Sequence, residues 1–478
     1  MKRIILLSLV TSSLLLSNEY QDWLNQQSNQ YSSYKKSIDQ EFSDMLKKDW
    51  ESFNSMSTPP SYKKPKPKII PEVKKEVTVS KKEIEKSPLV KIPITAKPKV
   101  VKKKITIIKK PYILKDFKTI DLNFYSESLS IQYDIKSAFY MGRINKNIIS
   151  KYWEQLSKTK FKKLISQIDD VTNRLNLNDW AKYQLIYKLG YGIYEDNNIS
   201  NLFTWFILVK MNYDIKIGYS GSNIYLLSPV KHKLYQTTFF NLDDIKYYIL
   251  NPNGKSNVTG SVYTYKGKYP KSTNILSFKI DKPILLNQNI KQKDLSFVFE
   301  RKKYNISVNY STDLVKFYST FPQSDYKIYY DTKNSTKLND TLLVELSKAI
   351  KGKTEIEAVN LLLRFVQTAF KYKTDQTQFN NEKVMFPEET VYYPYSDCED
   401  RSIMFNYLVK RLLSLNVVGV RYTDHLASAV ELSSTIKGSK FNYKNKTYTI
   451  TDPTYINANA GMVMPKYKNS NFKVIEIQ

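Results

Sequence analysis

The chain's single cysteine, Cys398, stands in Tyr395-Ser396-Asp397-Cys398-Glu399-Asp400-Arg401-Ser402, ahead of an apolar helical run from Met404 to Leu413. Ser396 and Glu399 have the spacing of a capping box, which predicts Ser396 as the N-cap and Cys398 at the second helical position. Unpaired N–H groups and the positive dipole end of a helix favour an anion there. A thiol so placed is a better thiolate, and the same N–H groups can serve a developing oxyanion. Asp397, Glu399 and Asp400 act in the opposite sense, because nearby carboxylates raise a thiol pKa. The centre therefore needs a cationic partner.

His425 is expected to supply it. Only one other His, His232, occurs in the chain. His425 lies in an alternating, strand-like stretch from Val417 to Val430. Lys446 to Thr451 reads as a further strand and ends in Asp452-Pro453. His425 follows Cys398 by 27 residues and Asp452 follows His425 by 27, each enough for one return across a sheet. A helix-borne Cys, a strand-borne His and a carboxylate on the next strand form the nucleophile, base and orienter of thiol acyl transfer. Each residue taken singly is more often structural. Their order on these elements is what points to catalysis.

Composition removes several other classes. One Cys excludes an intramolecular disulfide framework and a multi-thiolate metal site, and two His exclude a three-His catalytic metal centre. With 12 Gly there is no G-x-G-x-x-G or P-loop pattern. No cofactor is expected. The net charge of +29 suggests polyanions at first sight. Residues 59–112 alone, however, hold 17 Lys against four Glu, together with nine of the 18 Pro. Such a segment reads as an extended, solvated linker, with at most an electrostatic contact to the cell envelope. Nucleic acid is not an expected partner.

Ahead of the linker, Lys2 and Arg3 precede an apolar run from Ile4 to Leu16 and then Ser17, the layout of a secretory signal over residues 1–17. Thirteen residues rise only about 20 Å as a helix, short of the roughly 30 Å hydrocarbon core. The mature chain is thus expected in the periplasm or secreted, without a transmembrane segment. Residues 18–58 carry Tyr31, Tyr34, Ile38, Phe42, Met45 and Phe53 at helical spacing, predicting an amphipathic helix or else a polar stalk.

From 113 the composition turns globular, with an α+β pattern. Three units are expected: a helix-rich α+β domain over 113–255, an antiparallel β domain over 256–335, and a catalytic domain over 336–478. Asn178-Asp179 predicts the start of a helix carrying Trp180, Leu185 and Leu189.

Residues from about Thr341 to Asp452 resemble the transglutaminase-like superfamily of papain-like thiol enzymes. The matching features are Tyr372 after a long helix, Asp397-Cys398-x-Asp400 at a helix start, His425 on a strand, and Asp452-Pro453 at a strand end. The chain from 113 onwards looks like exported bacterial members. The resemblance implies Cys398 as nucleophile, His425 as base and Asp452 as its orienter, within a transglutaminase-like (papain-like) fold. It also suggests a degenerate copy around 140–250, because Leu202 to Tyr219 parallels Ser402 to Tyr422 without the Cys and His. The expected activity is formation of a thioester on an amide of protein or cell-wall peptide, released by water rather than by an amine. The alternative is a catalytically inactive binding or scaffold protein of the envelope.

Overall fold

The computed structural model describes residues 20–60 except six positions, 66–74, 79–92, and 116–477 except 287. The expected signal segment lies outside the described residues. Among those described, no helix is long and apolar enough to cross a membrane.

Helical spacing of large apolar residues builds the first half. Lys146–Ser157, Phe161–Leu175, Asp179–Tyr194 and Asn197–Lys210 are helices, and Trp153, Trp180 and Trp205 are buried where they meet. Asn178 caps the third, its Oδ1 accepting the Ala181 N–H at 3.0 Å, as the sequence predicts. The described residues of 20–46 are helical. Phe42 packs edge-on against Trp153 at 4.6 Å, so this helix docks on its own chain, although Tyr34 stays exposed. Phe53 departs from the expected stripe: it sits on the strand Trp50–Asn54, paired with Ser261–Tyr265.

The second half is centred on the helices Glu355–Ala369 and Cys398–Leu413. Leu361, Leu362, Phe365, Met404, Phe405 and Leu408 form its core. The region expected as one antiparallel unit over 256–335 is instead divided between the halves. Ser261–Tyr265 completes the first sheet, while the hairpin Ile290–Phe299 with Lys302–Ser311 packs into the second core through Phe297 and Val308. Local alternation identifies strands but not which sheet recruits them, a choice made by long-range packing.

Both halves share one connectivity. In the C-terminal sheet the order is 440–443, 446–451, 426–430, 417–421 and 473–475, all antiparallel. In the N-terminal sheet five strands run 238–242, 245–250, 223–228, 216–220 and 261–265, again all antiparallel. In each case one helix immediately precedes the central hairpin, Asn197–Lys210 or Cys398–Leu413. Two short strands, 50–54 and 56–57, extend only the first sheet.

The linker expectation needs correction. Residues 79–92 pack on the C-terminal half: Pro88 O accepts the Glu355 N–H at 2.7 Å, and Val90 N donates to Lys353 O at 3.1 Å. Lys66 is fully buried. Nor is the segment extended throughout: Lys81–Lys86 is a short helix whose N-cap Ser80 accepts the Glu83 N–H, because local capping overrides the Lys and Pro content, and four carboxylates outweigh solvation of Lys66.

Candidate active site

Cys398 opens the helix Cys398–Leu413, with Asp397 as its N-cap. The capping partner is Asp400, whose Oδ2 accepts the Asp397 N–H at 3.0 Å. This corrects the expected Ser396–Glu399 box and moves Cys398 from the second to the first helical position. Ser396 is otherwise engaged: it pairs in parallel with Tyr372, and its hydroxyl accepts from Arg401 Nε at 3.2 Å. Arg401 is itself buried, with Nη2 donating to Phe370 O at 2.7 Å and Nη1 to Gln367 O at 3.3 Å. It ties the cysteine helix to the end of Glu355–Ala369.

The strand expected over 417–430 is two antiparallel strands, Val417–Arg421 and Leu426–Val430, with His425 in the connecting turn. Strand Lys446–Thr451 pairs with Leu426–Val430, so Asp452 leaves the sheet beside His425. His425 Nε2 lies 2.9 Å from Asp452 Oδ2. Asp452 is fixed by its own turn, its Oδ1 accepting from Thr454 N at 2.9 Å and Tyr455 N at 3.2 Å. From the neighbouring helix, Gln367 Nε2 donates to Asp452 O at 3.0 Å. The His425 ring stacks on Tyr467, with centroids 4.9 Å apart and an interplanar angle of 14°. The other ring nitrogen, Nδ1, is buried with no hydrogen-bond partner among the described residues; a neutral imidazole donating Nε2–H to the carboxylate would carry its lone pair there.

The sulfur reaches the same strand. The backbone N–H of Leu426, next to His425, hydrogen-bonds Cys398, and Sγ donates to Glu399 Oε2 at 3.2 Å. Cys398, His425 and Asp452 are all fully buried. Burial first, then the Glu399 and Asp397 charges, push the thiol well above its ordinary pKa, while Lys66 and the Leu426 N–H pull it down. The net effect is upward, the direction expected of the acids that flank the cysteine. The acids beside it outweigh the dipole once solvent is removed.

The cation that balances these acids escaped the sequence reading. Lys66 Nζ lies 2.6 Å from Asp397 Oδ2 and 2.9 Å from both Asp375 Oδ2 and Glu382 Oε2, and also pairs with Glu399. Asp375, Glu382 and Glu399 each bring an oxygen within 4.8 Å of the others, a spacing that suits a cation; the ammonium takes that place. Burial raises Asp375 and Glu399 to about 7 despite Lys66. No signal in the Lys-rich segment distinguishes Lys66 from its neighbours, so only the fold identifies it.

The N-terminal half repeats the backbone of this centre without its chemistry. Asn198 Oδ1 accepts the Ile224 N–H at 2.8 Å, as the sulfur meets Leu426. Asn251-Pro252-Asn253 repeats the Asp452-Pro453-Thr454 turn, Asn251 Oδ1 accepting the Asn253 N–H at 2.9 Å. Beside that turn opens a cleft of about 410 Å³ lined by Tyr125, Gln184, Tyr191 and Asn197. Near the C-terminal centre a larger cleft of about 720 Å³ is lined by Lys233, Arg421, Tyr422 and Lys473. Tyr422 stands between it and His425, their rings parallel within 13°.

No family model, curated protein or solved structure matches the chain.

Proposed function

We propose that this protein is an exported, transglutaminase-like thiol enzyme that forms a thioester on an amide of protein or cell-wall peptide and releases it to water. The observation that carries the reading is the buried His425 Nε2 to Asp452 Oδ2 bond at 2.9 Å, with Nδ1 unpartnered and the adjacent Leu426 N–H on the sulfur. Nothing about packing requires a buried imidazole held by a buried carboxylate with its other nitrogen unused. A base held in one tautomer does require it.

In this mechanism the Cys398 S–H proton passes to His425 Nδ1, and the sulfur adds to the amide carbonyl carbon. Asp452 stabilises the resulting imidazolium. The oxyanion is received by N–H groups at the start of Cys398–Leu413. Collapse breaks the C–N bond, the imidazolium proton leaves with the amine, and the acyl group remains as a thioester. Water, deprotonated by the same imidazole, then attacks it and regenerates the thiol. Hydrolysis is favoured over amine release because water is always present at high concentration. The Asn198 and Asn251 positions support reading the N-terminal half as a degenerate copy, retained for packing and binding. Export rests on the charged and apolar pattern of the first 17 residues.

A second reading, an inactive scaffold, draws on one observation: the thiol is buried and donates to a carboxylate that opposes its ionisation. Incubating the protein with cell-envelope peptides, quenching in acid and mapping adducts separates the two. A thioester on Cys398 that disappears in His425→Ala supports the enzyme, and no adduct under any condition supports the scaffold.

A further inference from the structure

Residues 66–73 cross the molecule beside both ends of the centre. At one end Lys66 enters the acid cluster and Pro67 O accepts from Tyr372 Oη at 2.6 Å. At the other, Val73 N donates to Ile456 O at 3.0 Å and Ile456 N to Pro71 O at 3.3 Å. Asn457 Nδ2 adds bonds to Glu72 Oε1 at 2.9 Å and Val73 O at 3.2 Å. The segment therefore bridges the acids around Cys398 and the turn that follows Asp452. Pro67 and Pro71 fix φ on either side of a bend at residues 68 and 69.

What holds this segment is unlike what holds a permanent element. Of its residues only Lys66 is buried; Ile70 is half-buried and Ile69 is 89% exposed. A segment with few apolar contacts and a handful of hydrogen bonds opens at low cost. Its one deep contact, by contrast, is overbuilt. Four carboxylates converge on a single nitrogen, where one would satisfy a structural pair. Buried ion clusters of this kind add little net stability, because desolvation offsets the attraction. They discriminate strongly in favour of a compact ammonium with three donors, and a planar guanidinium fits such a convergent set poorly.

We propose that residues 66–73 are a built-in occupant of a peptide groove, and that the pocket formed by Asp375, Glu382, Asp397 and Glu399 binds the ammonium of a lysine or diamino-acid side chain in an extended peptide once this strap lifts. The inference rests on the thiol-enzyme reading only in calling that peptide a substrate.

The test uses the full chain, Asn457→Ala and Lys66→Gln. Hydrogen exchange follows residues 66–74, and iodoacetamide follows Cys398, the only thiol present. Two synthetic peptides covering residues 65–74 are added, one native and one with Met at the Lys66 position. Asn457→Ala removes two hydrogen bonds outside the acid pocket, so exchange and alkylation are expected to accelerate together by about tenfold. The native peptide restores slow alkylation saturably and the Met peptide does not. Lys66→Gln, its internal competitor gone, binds the native peptide more tightly than wild type does.

Three results overturn the proposal. Fast exchange with unchanged alkylation means the strap does not cover the thiol. Equal effects of the two peptides mean the pocket does not read an ammonium. Protection of 66–74 that survives both substitutions makes the segment a fixed part of the fold. None of these readouts needs turnover. Peptide binding that behaves as expected, with no acyl-enzyme on the strap-lifted protein, would instead remove the catalytic reading and leave this one standing.

Discussion

Lys66 and Asp397, 331 positions apart in sequence, meet at 2.6 Å inside the protein, one residue from Cys398. The N-terminal segment thus supplies the positive charge that the acids around the cysteine demand.

Removing that charge is expected to destabilise the C-terminal half in a pH-dependent way. Lys66→Met leaves buried carboxylates without their cation, a change that typically costs about 3 to 5 kcal/mol. The cost is largest when those groups are ionised. Asp375 and Glu399, raised to about 7, take up protons as pH falls, so the deficit shrinks between pH 8 and pH 5.5. Urea unfolding of both proteins at the two pH values measures it. A deficit independent of pH would contradict the electrostatic assignment.

Glu388 provides a second pH effect away from the centre. Its carboxylate accepts the Ser311 N–H at 2.6 Å, yet burial raises it to about 7. A carboxyl whose folded pKa exceeds its unfolded one penalises the fold above that pKa. The penalty is relieved as pH falls from about 7 toward the unfolded value. Glu388→Gln, neutral at every pH, should flatten the stability profile over this window. The full difference amounts to about 3 kcal/mol at pH 8, less whatever the Gln oxygen loses as an acceptor. An unaltered slope between pH 8 and 5 in chemical denaturation would count against it.

Arg401→Lys should be far from conservative. The lysine keeps the charge but cannot reach Ser396 Oγ, Gln367 O and Phe370 O together. A loss of about 3 kcal/mol is expected, with the junction between Phe370 and Ser396 exchanging amide protons faster than the rest of the half. Exchange that rises uniformly would mean that Arg401 acts through global stability alone.

The thiol itself should alkylate slowly. With burial and two carboxylates holding its pKa up, the wild-type rate at pH 8 should fall well below that of an unperturbed thiol, whose pKa is about 8.5. A rate profile with an inflection below pH 7 would show that the closed conformation is not the one in solution.

The sequence made the places of Cys398, His425 and Asp452 legible because each sits at the end of a short, strongly patterned element. An alternating strand followed by Asp-Pro marks its own terminus, and a polar cluster before an apolar run marks a helix start. The cap itself was misread because Ser396 and Asp397 both offer good capping side chains, and only the Tyr372 pairing, remote in sequence, removes Ser396. Strand allocation between the two sheets was illegible for a similar reason: residues 261–265 and 290–311 alternate alike but bury against different cores. The connectivity shared by the two halves could be glimpsed through Leu202 to Tyr219 alone, since Asn198 and Asn251 share hydrogen-bonded turns with the other half but not its residue types. Lys66 was hidden most completely, being one lysine among 17 in a segment whose composition signals solvation.

The most direct measurement is acylation of Cys398 in the strap-loosened Asn457→Ala chain by a p-nitrophenyl ester, with acid quenching and peptide mass mapping. A thioester confined to the Cys398 peptide, formed in a burst and lost by at least about a hundredfold in His425→Ala, is expected for a general-base-activated thiol. Ester turnover that leaves no adduct on Cys398, or acylation of Cys398 that proceeds equally well without the imidazole, would contradict it.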